Sequence, residues 1–227
     1  MKRRAAAPIG DPEEAFLRQL QQFRAKWADT PKTSRTEELA ELAAQVLAEQ
    51  GLGAFSMRQV AERAGMSLAS LQYHFKSLDA LLKAMIDFRV DAYVDQAISY
   101  LDGLSDDPLS AFRTHVSAFI DDAMSEHTAR FTAQYQALAC IDDYARSALD
   151  EYMRLYRESL ALFIRRINPS LGVEESICRG AILAGMIDGL MIVASKGKPK
   201  HAALAHIKAS VEESALALAL APPRFAR

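Results

Sequence analysis

Six side chains within eight residues carry the first recognisable chemistry: Ala69, Ser70, Gln72, Tyr73, His74 and Lys76. Gln72 can make a bidentate hydrogen bond to adenine N6 and N7, Ser70 can serve either kind of base, and Ala69 can touch a thymine methyl. Tyr73, His74 and Lys76 suit phosphates, although Tyr73 could instead pack inward. Ser56 and Arg58, at the start of the preceding segment, suit phosphates on the flank, and Ser67 opens the segment that carries the group. Together these are the types that read a DNA groove, where base edges specify and phosphates position.

Other chemistries find little support. The sequence holds no Gly-rich phosphate loop, HExxH or GxSxG pattern. Asp121, Asp122 and His127 suggest a metal, but adjacent helical positions point in different directions, so they read as a solvated face. Cys140 and Cys178 lack any CxxC or metal spacing and read as reduced. No catalytic residue, metal ligand or cofactor is assigned. His115, Phe119, Phe131, Tyr135, Tyr152, Tyr156 and Met186 offer large apolar surface with a few polar tips, suiting a small, mostly apolar ligand. Ordinary core packing explains any one of them equally well. Asp188, inside an apolar run, would be costly to bury without a partner.

Short helices must position the first group. Ser56 can cap one, Val60, Ala61 and Ala64 follow at helical spacing, and Gly65 breaks the pattern where a turn needs positive φ. Ser67 caps the next, and Ser77 starts a third. Ala61, four residues before Gly65, permits a close crossing, and Leu71, six after it, plugs the corner. This is the spacing of a helix-turn-helix. Leu47, Phe55, Val60, Leu71 and Phe75 are its expected core.

The segment SLQYHFKSLDALL resembles the tetracycline-repressor (TetR) family, whose recognition helix ends in an aromatic–His–Phe–Lys run, here Tyr73, His74, Phe75 and Lys76. The resemblance covers roughly Thr33 to Met85, and the overall length and helical layout. It implies a homodimer built on the last two long helices, a palindromic double-stranded DNA operator, and a small-molecule effector that moves the fourth family helix as a lever. It also marks the helix at Asp11–Ala28 as an addition.

The chain has 227 residues, half of them hydrophobic, with a net charge of −2. That excludes a blanket nucleic-acid binder, yet residues 1–83 carry +2 and the remainder −4, the sign expected of an N-terminal DNA head. The basic start MKRR is not followed by an apolar segment, so it does not read as a secretion signal; Lys2, Arg3 and Arg4 read as a solvated tail or a DNA arm. The run Ala181–Ala194 reads as too short for a membrane span. A cytoplasmic location follows.

The expected fold is all-α, an N-terminal three-helix helix-turn-helix head with a C-terminal helical ligand-binding and dimerisation domain. Residues 1–31 form an extension, 32–83 the head and 84–227 the effector and dimerisation part. In the extension Phe16, Leu20, Phe23 and Trp27 recur at spacings of four, three and four, one apolar stripe after an N-cap at Asp11. Ser34 or Thr36 caps the next helix. A lever runs from Ser77 to about Leu101. Further helices are expected from Asp107-Pro108 to about His127, over Thr128–Ile141, from Asp142 to near Ile167, over Val173–Ser195 and over His201–Leu220, with a loose tail from Pro222. Val173–Ser195 should be buried on several sides, with Gly180, Gly185 and Gly189 allowing close approach.

The expected function is a DNA-binding transcriptional regulator, a repressor released by a small apolar ligand, and not an enzyme. Two rivals remain: a helical enzyme or ligand carrier with an incidental helix-turn-helix, and an effector-free architectural DNA-binding protein.

Overall fold

Alanine- and leucine-rich stretches punctuated by capping residues give ten α-helices and no strand among the described residues of the computed structural model, 12–28, 30–102, 107–199 and 201–224. The expected N-cap at Asp11 and the basic arm lie outside them.

The first helix, α1 (Pro12–Trp27), buries the expected stripe of Phe16, Leu20, Phe23 and Trp27. The second, α2 (Ser34–Gln50), is capped by Thr33 rather than by Ser34 or Thr36. Thr36 serves instead as the other half of a capping box, accepting from the Thr33 backbone N–H at 2.8 Å. Then come α3 (Met57–Arg63) and α4 (Leu68–His74), joined through Gly65 at φ +65°. The left-handed turn is what glycine tolerates without a Cβ clash. Leu47, Val60 and Leu71 are fully buried, with Phe55 and Phe75 nearly so.

The lever, α5 (Leu78–Asp102), is a single 25-residue helix capped by the Ser77 hydroxyl, which accepts from Ala80 N–H at 3.1 Å. It packs on α2 at one end and on α1 and α8 further along. The buried residues of the head therefore run without a break into α1, α5 and α7.

The body consists of α6 (Pro108–Ala123), α7 (Glu126–Ala139), α8 (Asp143–Ile167), α9 (Val173–Val193) and α10 (Ile207–Leu220). The expected boundary near His127 is corrected: Ser125 caps α7, accepting from Thr128 N–H at 3.3 Å, so α6 stops at Ala123. The start of the last helix is also corrected, because residues 202–204 form a separate 3₁₀ turn.

Arg179 explains the end of α10. Its guanidinium is buried beside Glu175 and donates to the carbonyls of Leu218 at 2.8 Å, Ala221 at 2.7 Å and Pro222 at 2.7 Å. The first two are carbonyls that the helix terminus and its cap leave without intrahelical partners, and the third belongs to the residue just beyond. The backbone N–H of Arg224 reaches Glu175 Oε1 at 2.9 Å, so the chain is tied down past Pro222 rather than loose.

The burial expected for α9 is only half right. One side packs tightly on α8: a Cβ on Gly180 would lie 2.5 Å from the Arg157 carbonyl oxygen. The opposite side is open, with Val173, Ile177, Ile182 and Ile192 exposed and no atom within 4 Å of where a Cβ would sit on Gly185 or Gly189. By length and composition alone the whole helix would suffice to cross a membrane, unlike the shorter run considered from the sequence, but α8, α6 and α10 give its other side a protein partner.

Candidate functional site

Two regions bring the candidate residues together: the outer face of α4 and a cavity where α1, α5, α6 and α8 meet.

On α4, Leu71 points into the head core while Ala69, Ser70, Gln72 and Tyr73 remain exposed, as does Lys76 just beyond. The cause is helical spacing: residue 71 faces α3, so its neighbours must face away. Tyr73 is 78% exposed, which removes the reading that it packs inward. Lys76 Nζ sits 5.5 Å from its ring centroid. Ser67 Oγ accepts from Ser70 N–H at 3.0 Å and lies 2.8 Å from the Ser70 hydroxyl, so both serines are already engaged in capping. Ser56 likewise caps α3 through Gln59 N–H at 3.4 Å, and Arg58 is exposed beside it. His74 is half-buried. All nine candidate positions lie on or beside the two helices of the reading pair.

The cavity offers about 40 Å³ in which a water centre can sit, more than the ~10–15 Å³ that one water needs. Its centre is His115 on α6. The imidazole stacks on Phe163 at 3.9 Å between ring centroids and meets Tyr100 and Phe119 edge-on, each at 4.5 Å. His115 is 3% exposed, and neither ring nitrogen has a hydrogen-bond partner. Burial pushes its pKa down to about 3, so the ring is neutral. Among the described residues, no Asp, Glu, Lys or Arg lines this cavity. Its outer wall is α1, through Phe16, Leu20 and Phe23.

A second cavity of about 50 Å³ shares Tyr93, Phe119, Tyr152 and Tyr156 with the first. Burial pushes the Tyr152 and Tyr156 phenols up. Asp122 and Asp188 line this second space, and burial raises the Asp188 carboxyl to about 6.

Of the seven residues proposed for a ligand, His115, Phe119, Tyr152 and Tyr156 line the first cavity and Tyr135 the second. Phe131 and Met186 line neither; Phe131 packs under the Arg89 guanidinium, 4.6 Å from its ring centroid. Sequence reasoning missed Tyr93 and Tyr100 on the lever, Phe163 on α8 and the whole α1 wall. The α1 stripe was visible, but a stripe does not name what it covers.

A row of carboxylates on α5, also missed, fastens α1 and the following connection to the lever. Asp91 pairs with Arg24, whose Nε lies 3.2 Å away, and with Lys32; Asp95 also binds Arg24. Asp87 accepts from the Thr30 backbone N–H at 3.0 Å and from Lys83 Nζ at 2.8 Å. The spacing of four residues was the available signal.

An exposed α4 held at a fixed angle by α2 and α3, and joined through one helix to a cavity-bearing body, defines a helix-turn-helix regulator. The sequence profile of bacterial regulatory proteins of the tetR family matches residues 39–85. The transcriptional regulator BetI of Rhizobium meliloti is 31% identical over 164 residues, covering 70% of this chain and 76% of BetI. The transcriptional repressor KstR2 of Rhodococcus jostii is 27% identical over 158 residues, covering 70% and 68%. The structure of the ketosteroid transcriptional regulator KstR2 of Mycobacterium tuberculosis superposes with a TM-score of 0.54 at 21% identity, covering 85% of this chain and 96% of that one. The chain belongs to the TetR family of DNA-binding transcriptional regulators. It is not an enzyme.

Proposed function

We propose that this protein is a cytoplasmic homodimeric repressor that binds a palindromic operator and leaves it when a small, mostly apolar molecule enters the body. The observation that carries this reading is the continuity of α5, which packs on α2 at the head and lines the internal cavity through Tyr93, Val94 and Tyr100. A ligand that pushes on this helix moves the head attached to it. Residues 32–83 act as the reading head, with Gln72 and Ala69 on bases and Arg58, Tyr73 and Lys76 on phosphates. Residues 84–227 hold the ligand and the dimer contact, and α1 within 1–31 closes the cavity.

The dimer contact is the open side of α9. It is apolar and contains small residues, so a second copy can lie close against it. Two heads roughly one DNA turn apart, about 34–36 Å, then read an inverted repeat. The ligand acts only through its preference for the geometry that spoils this spacing. The relative KstR2 of Rhodococcus jostii is a transcriptional repressor, which supports repression here.

Selection of binding sites from random double-stranded DNA at two salt concentrations tests the reading. An inverted repeat is expected. Binding without sequence preference and with a steep salt slope would favour an architectural protein instead.

A further inference from the structure

We infer that the cavity beneath α1 takes an uncharged, largely apolar molecule bearing one hydrogen-bonding oxygen, and that His115 is the residue that reads that oxygen. This rests on the proposal that the cavity is the effector site, and it adds the ligand's chemical class and the group that selects it.

Three observations converge. First, His115 is buried with both ring nitrogens unpaired. Nearly all buried polar side-chain atoms in native proteins find a partner, so an orphan facing a cavity marks where one is supplied from outside. As a neutral imidazole it can donate from one nitrogen and accept at the other, which suits a hydroxyl or a carbonyl. Second, the ring cannot turn away to find a partner elsewhere. Phe163 stacks on one face and Tyr100 and Phe119 close around it. Third, among the described residues no fully charged side chain lines the space to balance an ionic ligand. The remaining polar atoms are few and partly used: Gln96 Nε2 donates to Tyr100 Oη at 3.1 Å, and Ser159 Oγ donates to the Tyr156 carbonyl at 2.8 Å.

The present space suits waters better than a ligand, so occupancy requires a wall to yield. α1 is suited to that, because it covers the space with a single buried stripe and is otherwise held by side-chain pairs such as Arg24–Asp91 and Glu13–Arg166 at its edges. A ligand on His115 therefore touches the helix whose C-terminal continuation leads into α2.

Binding of four molecules with one carbon frame tests the inference in the full-length protein: isopropylbenzene, para-isopropylphenol, para-isopropylbenzoate and para-isopropylphenyltrimethylammonium, measured by titration calorimetry. The phenol is expected to bind about tenfold more tightly than the hydrocarbon, and the two ions to bind more weakly than either. His115→Phe keeps the aromatic stack and should abolish the phenol's advantage while leaving hydrocarbon binding in place. His115→Asn keeps a donor and an acceptor and should retain part of it. Leu20→Trp fills the space from α1 and should weaken all binding. Equal affinity for phenol and hydrocarbon in the wild type overturns the role of His115. Preference for either ion overturns the uncharged class. Absence of saturable binding by all four overturns the cavity as a ligand site and the inference with it. Phenol binding with the expected preference, but without release of the selected operator, supports the inference and overturns the effector reading alone.

Discussion

Arg24 on α1 and Asp91 on α5 form an ion pair across the joint between the added helix and the lever, with Arg24 Nε 3.2 Å from Asp91 Oδ1. Asp91 is buried, while Arg24 is about one-third exposed. Lys32 joins from the connection to α2. One carboxylate thus ties the added helix and the approach to the head to the same point on the lever. Asp91→Ala leaves Lys32 without its carboxylate and Arg24 with Asp95 alone, and should cost about 1–3 kcal/mol of stability, below the value for a fully buried pair because the cations retain water. A urea midpoint measures this, and an unchanged midpoint would show the tie to be ornamental.

The proposed DNA face should separate reading from holding. Gln72→Ala should relax preference at one base pair at a cost of about 1–3 kcal/mol on the selected site, with little effect on other sequences. Lys76→Ala should weaken all sequences alike and reduce the salt slope by about one. Competition binding against point-substituted operators distinguishes the two; equal losses on every sequence for Gln72→Ala would remove it from base reading.

The open side of α9 predicts its own disruption. Ile182→Glu and Ile192→Glu place a charge on an exposed apolar surface, so the isolated chain should keep its fold. In a dimer the same charge would be buried without a partner. Light scattering after size exclusion should show monomers and operator affinity should drop, while far-ultraviolet circular dichroism stays the same. Persistent dimers would place the contact elsewhere.

A buried and a half-buried group give opposite pH dependences. His115 is pushed down from 6.5 to about 3. Its neutral form favours folding above 6.5, and that contribution is lost as pH falls toward 3, because the unfolded chain takes the proton first. His115→Phe should therefore resist acid better, by up to about 1.4 kcal/mol for each pH unit below 6.5. Asp188 is raised from 3.8 to about 6. Its contribution is full below 3.8 and lost as pH rises through 6, so Asp188→Asn should gain stability toward neutral pH. Thermal midpoints over about pH 4 to 8 read both, and parallel curves for wild type and variants would contradict them.

Gly180→Ala should destabilise by about 1–3 kcal/mol. Its Cβ would meet the Arg157 carbonyl oxygen at 2.5 Å and the Ala161 backbone nitrogen at 3.1 Å, so no side chain can swing aside to relieve it. Gly185→Ala faces open space in one chain; a loss there would register only through the dimer. Denaturant curves at low and high protein concentration separate the two cases.

The head was legible because short-range rules govern it. Ser56, Gly65 and Ser67 punctuate the chain at fixed offsets, and Leu47, Val60 and Leu71 had only one core to enter. A quarter of the cavity lining was legible for a different reason, since His115, Phe119, Tyr152 and Tyr156 are bulky groups on helices that had to pack. Tyr93 and Tyr100 were hidden on a lever whose apolar residues serve the head, α1 and α8 in turn, so no single stripe marks them. Helix α9 misled because apolar residues all round say that every side wants cover without saying which molecule supplies it. Thr33 and Ser125 were passed over as caps because neighbouring hydroxyls and acids compete for that role, and only the backbone geometry decides among them.

The contact at Gly180 has a mechanical consequence. With the backbones of α8 and α9 meeting at that point, the two helices would act as a stator, and in the proposed dimer α9 would carry the surface offered to a second copy. What turns must then lie on the other side of His115, where α5 is held by hydrogen bonds and ion pairs that can break and re-form singly. On the proposed reading, strain introduced at the cavity would be steered in one direction, toward the head, and the pairing of two copies would be spared.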